Sequence, residues 1–510
     1  MKNLSFFFVF ILLASCGSPT QPSATQSGVY QEQYRPQFHF SPQKNWMNDP
    51  NGMVYFEGTY HLFFQQNPVA LTMGAIHWGH ATSTDLIHWQ QQPTALFPDS
   101  LGYIFSGSAV ADVNNTSGFG KNGQTPLVAF FTSHNPQGEK AGKTTYENQS
   151  MAYSLDKGKS WTKFSSNPVL KNPGIKDFRD PKVKWYEPQK KWLMALAVKD
   201  RIHFYSSKNL KQWTKESEFG VNRGSHGGVW ECPDLIEMDN AGKKEWVLLV
   251  SINPGGPNGG SATQYFTGNF DGKTFTSADT KTKWIDYGTD NYAGVTWSNV
   301  SGAPLFLGWM SNWQYGQLVP TKTWRGTMTI PRKLSLKTVN NSDYLASKPV
   351  EALEKIAGKA VSLDQINIKN DYDLTQIFDV TSGLYKLNFS GKQINDFCII
   401  LSNDAHEQLV IGYDKKANQY YTDRSKSGKV DFEKGFAKTH FAPRIASDSA
   451  TELTLLVDHT SAELFADGGL TCMATIFFPK QPYNHIQLKA PNGLTIDQLT
   501  FEPIKSIWKK

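Results

Sequence analysis

Three short motifs in this chain each place a carboxylate within two residues of a proline. Asp49 lies in Trp-Met-Asn-Asp-Pro-Asn-Gly at residues 46–52, Asp180 in Phe-Arg-Asp-Pro at residues 178–181, and Glu231 in Trp-Glu-Cys-Pro-Asp at residues 230–234. Proline fixes its own φ angle and restricts the residue before it, so the backbone beside each acid is stiff. A rigid carboxylate suits nucleophilic attack, and a second, protonated carboxyl suits proton transfer to a leaving group. The three acids are therefore candidate catalytic residues.

Each motif also has a plain structural interpretation. Asn-Asp-Pro-Asn-Gly is good turn chemistry, Asp180 could pair with the adjacent Arg179, and Glu231 could be a surface acid. The apolar residues after Gly52 predict a strand at 54–56, a tight turn at 57–58 and a second strand at 60–64. Asp49 would then lie exposed at the mouth of a β-hairpin. Taken one at a time, the motifs do not decide between structure and catalysis.

A pattern that recurs along the chain relates the motifs to one another. A strand end, a polar turn and an aromatic residue occur together four times, and the aromatic residues are Trp89, Trp161, Trp213 and Phe275. Their spacings of 72, 52 and 62 residues suit propeller blades of four strands each. A last unit around residues 294–331 brings the predicted number of blades to five.

The three acids fall at a similar phase of this repeat. Asp49 precedes Trp89 by 40 residues, Asp180 precedes Trp213 by 33, and Glu231 precedes Phe275 by 44. Equivalent phases in a propeller mean equivalent radial positions. We therefore expect all three carboxylates on inner strands of their blades, facing the central channel.

The C-terminal part of the chain has a different sequence pattern. Residues 348–356 form a short amphipathic run typical of a helical connector, and alternating strands dominate from about residue 381, which is typical of an antiparallel β-sandwich. The predicted fold is all-β, a five-bladed β-propeller followed by a C-terminal antiparallel β-sandwich. We expect a signal peptide at 1–16, a flexible tether at 17–33, the propeller at 34–335, a linker with a short helix at 336–359 and the sandwich at 360–510.

The N-terminus has the composition of an export signal. Lys2 precedes a short apolar run at residues 6–13, and Leu-Ala-Ser-Cys at 13–16 resembles the lipobox of bacterial lipoproteins. We expect Cys16 to be lipidated and the protein to be a membrane-anchored lipoprotein in the periplasm or on the cell surface. The other cysteines, at 232, 398 and 472, are an odd and widely spaced set, which indicates neither a disulfide framework nor a metal site. The net charge of +6 over 510 residues, without a basic cluster, argues against nucleic-acid binding.

Taken together, the motifs resemble glycoside hydrolase family 32, which contains invertases, levanases, inulinases and fructan exohydrolases. The resemblance spans roughly residues 34–505 and includes the three acid motifs. Its other matching stretches are Phe-Gln-Gln-Asn-Pro at 64–68, His-Trp-Gly-His at 77–80, Phe-Ser-Gly-Ser at 105–108, Trp-Met-Ser-Asn-Trp at 309–313, Trp-Arg-Gly at 324–326 and Val-Asp-His-Thr-Ser-Ala-Glu-Leu-Phe at 457–465.

The resemblance implies a retaining β-fructofuranosidase that releases terminal fructosyl units from fructans (levan or inulin) and acts on sucrose. It implies that Asp49 is the nucleophile, Glu231 the general acid/base and Asp180 the transition-state stabiliser. No metal or organic cofactor is expected. The implied substrate-binding residues are Asn48, Gln65, Trp78, Phe105, Ser106, Arg179 and Trp313.

Two other classes of protein share some of these features. One is an inverting five-bladed glycosidase of the arabinan-degrading type, and the other is a glycan-binding lipoprotein without catalytic activity. The intact set of acids favours an enzyme, and the residues around Asp49 and Glu231 favour the fructosidase. The residues do not distinguish β-2,6 from β-2,1 linkages, exo from endo attack, one membrane face from the other, or the oligomeric state.

Overall fold

The structure is a computed structural model that describes residue 1 and residues 28–508. The predicted signal peptide, the Cys16 lipidation site and most of the predicted tether lie outside the described residues. Apart from one short α-helix and two 3-10 helices at Glu187–Gln189 and Glu351–Lys355, the regular elements of the described chain are β-strands. No helix among residues 28–508 has the length and apolar character needed to cross a bilayer.

Five sheets, antiparallel apart from one short strand pair, form the N-terminal domain. The first contains β1 (Asn45–Phe56), β2 (Thr59–Asn67), β3 (His77–Ser83) and β4 (Gln90–Leu96). The second contains β5 (Tyr103–Ala111), β6 (Leu127–His134), β7 (Glu147–Ser154) and β8 (Thr162–Lys163), with helix α1 (Pro136–Lys140) after β6. The third contains β9 (Phe178–Tyr186), β10 (Lys191–Val198), β11 (Arg201–Ser207) and β12 (Thr214–Phe219).

The fourth sheet contains β13 (Val229–Asn240), β14 (Lys243–Asn253), β15 (Ala262–Phe270) and β16 (Phe275–Thr276), and the short β17 (Lys283–Trp284) also pairs with β15. The fifth begins with β18 (Tyr292–Thr296) and β19 (Leu305–Trp309). The next strand, β20 (Trp324–Arg325), instead joins the first sheet beside β1. The fifth sheet is completed by β21 (Arg332–Val339) and β22 (Ser342–Pro349).

The first strands of the five sheets surround a common axis. Strand β1 contacts β5 and β18, and β9 and β13 complete the ring through contacts with their neighbours. Residues 46–54 of β1 are all buried, as expected for a strand covered on both faces. The parallel pairing of β20 with β1 adds a second link between the fifth blade and the first. The predicted five-bladed propeller is therefore confirmed.

The recurring sequence pattern marks the turn between the third and fourth strands of a blade. In the first blade, the Asp85 side chain accepts hydrogen bonds from the backbone N–H groups of Ile87 and His88. Leu86 adopts a positive φ of 70°, and the Trp89 indole donates back to the Leu86 carbonyl at 3.0 Å. Trp161 and Trp213 make the equivalent bonds in the next two blades. The pattern thus encodes a local turn whose aromatic residue locks it closed.

The C-terminal domain consists of two six-stranded antiparallel sheets packed face to face, which confirms the predicted sandwich. In chain order its strands are β23 (Val361–Ile368), β24 (Asp371–Asp373), β25 (Tyr385–Gly391), β26 (Phe397–Ser402), β27 (Gln408–Asp414), β28 (Gln419–Lys426), β29 (Thr439–Pro443), β30 (Thr451–Asp458), β31 (Ser461–Ala466), β32 (Thr471–Ile476), β33 (His485–Lys489) and β34 (Leu494–Pro503). One sheet has the order β23-β34-β25-β30-β31-β32 and the other β24-β33-β26-β27-β28-β29.

The join between the two domains differs from the expected one. The predicted end of the propeller at residue 335 falls inside β21, and the fifth blade continues to Pro349. The amphipathic run at 348–356 forms the end of β22 and then a 3-10 helix at Glu351–Lys355. The hairpin of β21 and β22 is mostly polar on its outer face, so its strands carried a weaker signal than those of the buried blades.

Buried ionic contacts hold the sandwich against the propeller. His39 lies between Asp458 and Glu463, with nitrogen–oxygen distances of 2.8 and 2.9 Å. Arg332 pairs with Asp286 of the propeller and with Glu463 of the sandwich. The two carboxylates raise the pKa of His39 to about 9, against the effect of burial, which would lower it. His39 is therefore protonated at neutral pH and balances two buried negative charges.

Candidate active site

The three predicted acids meet in one cavity of the propeller. Asp49 lies on β1, Asp180 on β9 and Glu231 on β13, which are the inner strands of three blades. The cavity has a volume of about 600 Å³, and all three carboxylates line it. The common phase of the motifs in the sequence therefore corresponds to a common position in the fold.

Each acid lies where the strand pairing is interrupted. The registers of β1 with β2 and of β13 with β14 shift beside Asp49 and Glu231, and the register of β9 with β10 shifts beside Asp180. A proline has no N–H to donate to a ladder, so the prolines of the three motifs favour such bulges, which re-aim a side chain. Asp180 and Cys232 have positive φ angles of 65° and 46°, which are costly for residues other than glycine.

Asp49 differs from its predicted setting in two respects. It lies within β1 and not at the mouth of the hairpin, and only 8% of its surface is exposed. Asn48 donates to one carboxylate oxygen at 3.0 Å, and the Ser106 hydroxyl donates to the other at 2.7 Å. Burial, and then the charge of Glu231, raise the pKa of Asp49 to about 6. Asp49 is thus ionised at neutral pH and held in a fixed orientation, as a nucleophile must be.

Cys232 joins two of the acids. Its thiol sulfur lies 3.6 Å from an oxygen of Asp49 and 3.6 Å from an oxygen of Asp180. Its backbone N–H also donates to Asp180 at 3.0 Å. Burial and the neighbouring carboxylates raise the pKa of the Cys232 thiol well above its usual range, so the thiol stays protonated and can donate. Burial, and then Glu231, raise the pKa of Asp180 as well, and Arg179 opposes this rise.

Glu231 is held from two sides. Arg179 donates to its Oε1 from Nε and Nη2, at 3.1 and 3.0 Å. The buried Tyr292 hydroxyl donates to its Oε2. Glu231 is the most exposed of the three acids, with 19% of its side chain accessible. It can therefore reach a leaving group that extends toward solvent.

Arg179 connects Glu231 to a second acidic pair that the sequence reasoning missed. Its Nη1 lies 2.8 Å from Asp177 and 3.3 Å from Glu147. Although burial opposes ionisation, Arg179 and His134 lower the pKa of Glu147, which also accepts from the Phe178 backbone N–H at 2.8 Å. Glu147 stands alone in a strand far from any motif. Only its position opposite His134 in the β6–β7 register, which the sequence does not display, reveals its role.

Most of the predicted substrate-binding residues line the same cavity. They are Asn48, Gln65, Phe105, Ser106, Arg179 and Trp313. Trp78 lies behind the cavity wall and is fully buried, and its indole donates to the Phe105 carbonyl at 3.1 Å. The structure thus indicates that Trp78 supports Phe105 and does not itself line the cavity. Phe105 also stacks on His134, with ring centroids 4.0 Å apart.

This arrangement suits displacement at an acetal carbon. An ionised, oriented carboxylate, a more exposed carboxyl and a third acid face one cavity, as in the double-displacement mechanism of retaining glycosidases. A five-bladed propeller with such a site defines a class, the propeller glycoside hydrolases.

Comparisons with known proteins identify the family within this class. Residues 39–349 match the model for the glycosyl hydrolases family 32 N-terminal domain, and residues 352–505 match the model for the family 32 C terminal domain. The chain belongs to glycoside hydrolase family 32, so the predicted family membership is confirmed.

Among curated relatives, the levanase of Bacillus subtilis (strain 168) is 44% identical over 507 residues, covering 95% of this chain and 72% of the relative. The extracellular exo-inulinase inuE of Aspergillus niger is 43% identical, covering 94% and 96%. Among solved structures, the exo-inulinase from Aspergillus awamori superposes with a TM-score of 0.86 at 40% identity, covering 94% of this chain and all of that one.

Proposed function

We propose that this chain is a retaining β-fructofuranosidase that releases terminal fructosyl units from fructans and hydrolyses sucrose. The observation that carries the proposal is the convergence of Asp49, Asp180 and Glu231 in one cavity of a family 32 propeller. The levanase and exo-inulinase relatives support fructans as the substrate class. Family membership sets aside the arabinan-type alternative.

In the first step, the Asp49 carboxylate attacks the anomeric carbon of the terminal fructosyl unit while Glu231 gives its proton to the departing oxygen. The bond to the leaving sugar breaks and an ester to Asp49 forms. In the second step, Glu231 takes a proton from water, the water oxygen bonds to the anomeric carbon, and the ester breaks. Two displacements at one carbon retain its configuration.

Asp180 and Arg179 have supporting roles in this proposal. Asp180 is buried against Cys232 and presents its carboxylate to the sugar hydroxyls beside the reacting carbon. Hydrogen bonds that shorten as the oxocarbenium-like transition state forms lower the barrier. Arg179, ion-paired with Glu231, orients the acid and closes one side of the cavity.

Product analysis tests the proposal. The purified chain is incubated with levan, inulin and sucrose, and the products are separated by chromatography. Free fructose as the first product from a fructan supports attack on terminal units, whereas oligosaccharides as first products contradict it. NMR at early times should show the retained anomer, and the inverted anomer would make Asp49 a base and refute the mechanism. The Asp49→Asn variant is the control, because an amide cannot form the ester.

We also propose that the protein acts outside the cytoplasm, anchored through lipid on Cys16. The relative from Aspergillus niger is an extracellular enzyme, and in this chain Lys2 and the apolar run at 6–13 have the composition of an export signal that precedes the lipobox-like residues 13–16. Cys16→Ala should release the enzyme from the membrane fraction with unchanged turnover, since the propeller and sandwich begin after the tether. Membrane retention of the Cys16→Ala variant would contradict the anchor.

A further inference from the structure

A second cavity lies on the outer face of the sandwich. It has a volume of about 640 Å³ and shares no lining residue with the candidate active site. Beneath it, the strand registers place four residues side by side across β26 to β29, and all but Gly412 line the cavity. The row consists of Cys398, Gly412, Tyr421 and Phe441. Three strand spacings of about 4.8 Å make this row about 14 Å long.

The Tyr421 ring lies along the sheet surface because Gly412 has no side chain. A Cβ on Gly412 would stand 2.6 Å from the hydroxyl end of the ring. The ring therefore lies over Gly412, with its hydroxyl end directed across β27 toward Cys398 on the neighbouring strand. Next in the row, 46% of Phe441 is exposed. The two rings form an aromatic strip on the surface of the sandwich.

Carboxylates stand on both sides of this aromatic strip. On β28, Asp423 follows Tyr421 by two residues and lies on the same face of the sheet. On β27, Asp414 follows Gly412 by two residues and, because the strands are antiparallel, lies on the other side of the strip, where Asp396 also lines the cavity. One oxygen of Asp423 accepts a hydrogen bond from the Ser425 backbone N–H, and one oxygen of Asp414 accepts from the Ala417 backbone N–H. These bonds fix the side chains while the carboxylates continue to line the cavity.

Apolar rings flanked by fixed acceptors suit a neutral, polyhydroxylated ligand. The rings cover the C–H face of a sugar, and the carboxylates accept from its hydroxyl groups. Anionic ligands would be repelled by three acids. An added β-strand is disfavoured, because Asn258 of the propeller already binds the backbone N–H and carbonyl of Phe441, at 3.0 and 2.9 Å.

Asn258 also relates this surface to the candidate active site. It belongs to the connection between β14 and β15, which begins at Asn253, a lining residue of the catalytic cavity. The edge strand β29 is therefore joined directly to a propeller segment that leads from the catalytic cavity. A chain held on the sandwich lies beside the domain that cleaves it.

We propose that the aromatic strip of Tyr421 and Phe441 is a second binding site for a fructan chain, separate from the catalytic cavity. This inference rests on the proposed function. Holding the polymer at a second point raises the effective concentration of its ends near the catalytic cavity without new contacts to the reacting unit. A substrate as short as sucrose gains nothing from the second site.

Binding is tested in the Asp49→Asn background, where the polymer is not consumed. The full-length variant is run through native gels that contain levan or inulin, and its retardation gives a dissociation constant. Adding Phe441→Ala or Tyr421→Ala should weaken retention about fivefold, as expected for loss of a modest hot spot. Tyr421→Phe keeps the ring and should bind normally. Val361→Ala, an exposed apolar residue on the other sheet, is the matched control.

Kinetics of the active protein give a second readout. Phe441→Ala should raise the KM for the polymer by about the same factor while leaving kcat/KM for sucrose unchanged. Phe441 is exposed, so this variant should fold, and circular dichroism verifies that it does.

The inference fails if Phe441→Ala and Tyr421→Ala bind the polymer as tightly as their parent, or if the Asp49→Asn chain is not retarded at all. It also fails if sucrose and polymer kinetics change equally. Failure of the unmodified chain to cleave levan, inulin and sucrose would instead refute the proposed function. The gel assay measures binding without cleavage, so the two failures can be told apart.

Discussion

Replacement of His39 by glutamine should make the stability of this protein less sensitive to alkaline pH. The imidazole is buried between Asp458 and Glu463 at the domain interface, and its pKa in the folded chain is about 9. In the unfolded chain a histidine titrates near 6.5. The folded state therefore binds the proton more tightly, and the resulting stabilisation is complete below about pH 6.5 and is lost as pH rises through 9.

The size of this contribution follows from the difference between the two pKa values. About 2.5 pH units at 1.36 kcal/mol each correspond to about 3 kcal/mol. His39 is almost fully buried, so solvent screening removes little of this energy. The carboxylate partners act in the opposite pH range, because the pKa values of Asp458 and Glu463 are lowered and their contributions are lost only in acid.

Urea unfolding followed by tryptophan fluorescence at pH 6 and pH 9.5 measures the effect. Burial lowers the pKa of Lys184 to about 8, which stabilises the folded chain as pH rises further, so the wild type alone would mix two effects. Lys184 is present in both proteins, so its contribution cancels when the free energy of unfolding of His39→Gln is subtracted from that of the wild type at each pH. The advantage of wild type over the variant should shrink by about 3 kcal/mol between the two pH values. An advantage that stays constant would show that His39 does not carry the charge.

Three further predictions concern the candidate active site. Glu231→Gln should lose most activity on sucrose, but a fructoside with a good leaving group should give a burst and then slow turnover, because only hydrolysis of the ester still needs the base. Asp180→Asn should reduce kcat by at least about 100-fold with either leaving group, and partial rescue by the better leaving group would argue against transition-state stabilisation. Tyr292→Phe should lower kcat/KM for sucrose about tenfold, because Glu231 loses the hydrogen bond from the Tyr292 hydroxyl. The loss should be smaller for the fructoside with a good leaving group, and equal losses on both substrates would indicate a structural role instead.

The repeat, and with it the fold, was predictable because four of the blades share the same kind of local turn between their third and fourth strands. Asp85 and Trp89 close that turn through bonds within a few residues, so the sequence pattern records the structure directly. The bulges at the three acids were partly predictable from the adjacent prolines. The hairpin of β21 and β22 was not, since it is short of buried residues and resembles a linker.

The surroundings of the acids were harder to predict than the acids themselves. Glu147, Tyr292 and Cys232 reach partners that lie 13 to 183 positions away in the chain. Such contacts depend on how blades meet, which no local pattern encodes. Trp78 illustrates the same point. Its motif matches the family and predicted a residue that lines the cavity, but its buried position behind Phe105 depends on how the blades pack.

The pairing of β20 with β1 gives the strand that carries Asp49 a partner from a late part of the propeller sequence. Asn45 and Trp46, just before the proposed nucleophile, pair with Trp324 and Arg325, which lie between β19 and β21 of the fifth blade. A growing chain can therefore form the middle blades from neighbouring strands, but the strand that carries Asp49 gains this partner only after nearly the whole propeller has been synthesised. A fragment that ends before residue 324 should therefore contain all three acids, but the strand that carries Asp49 should lack the partner that holds its first residues.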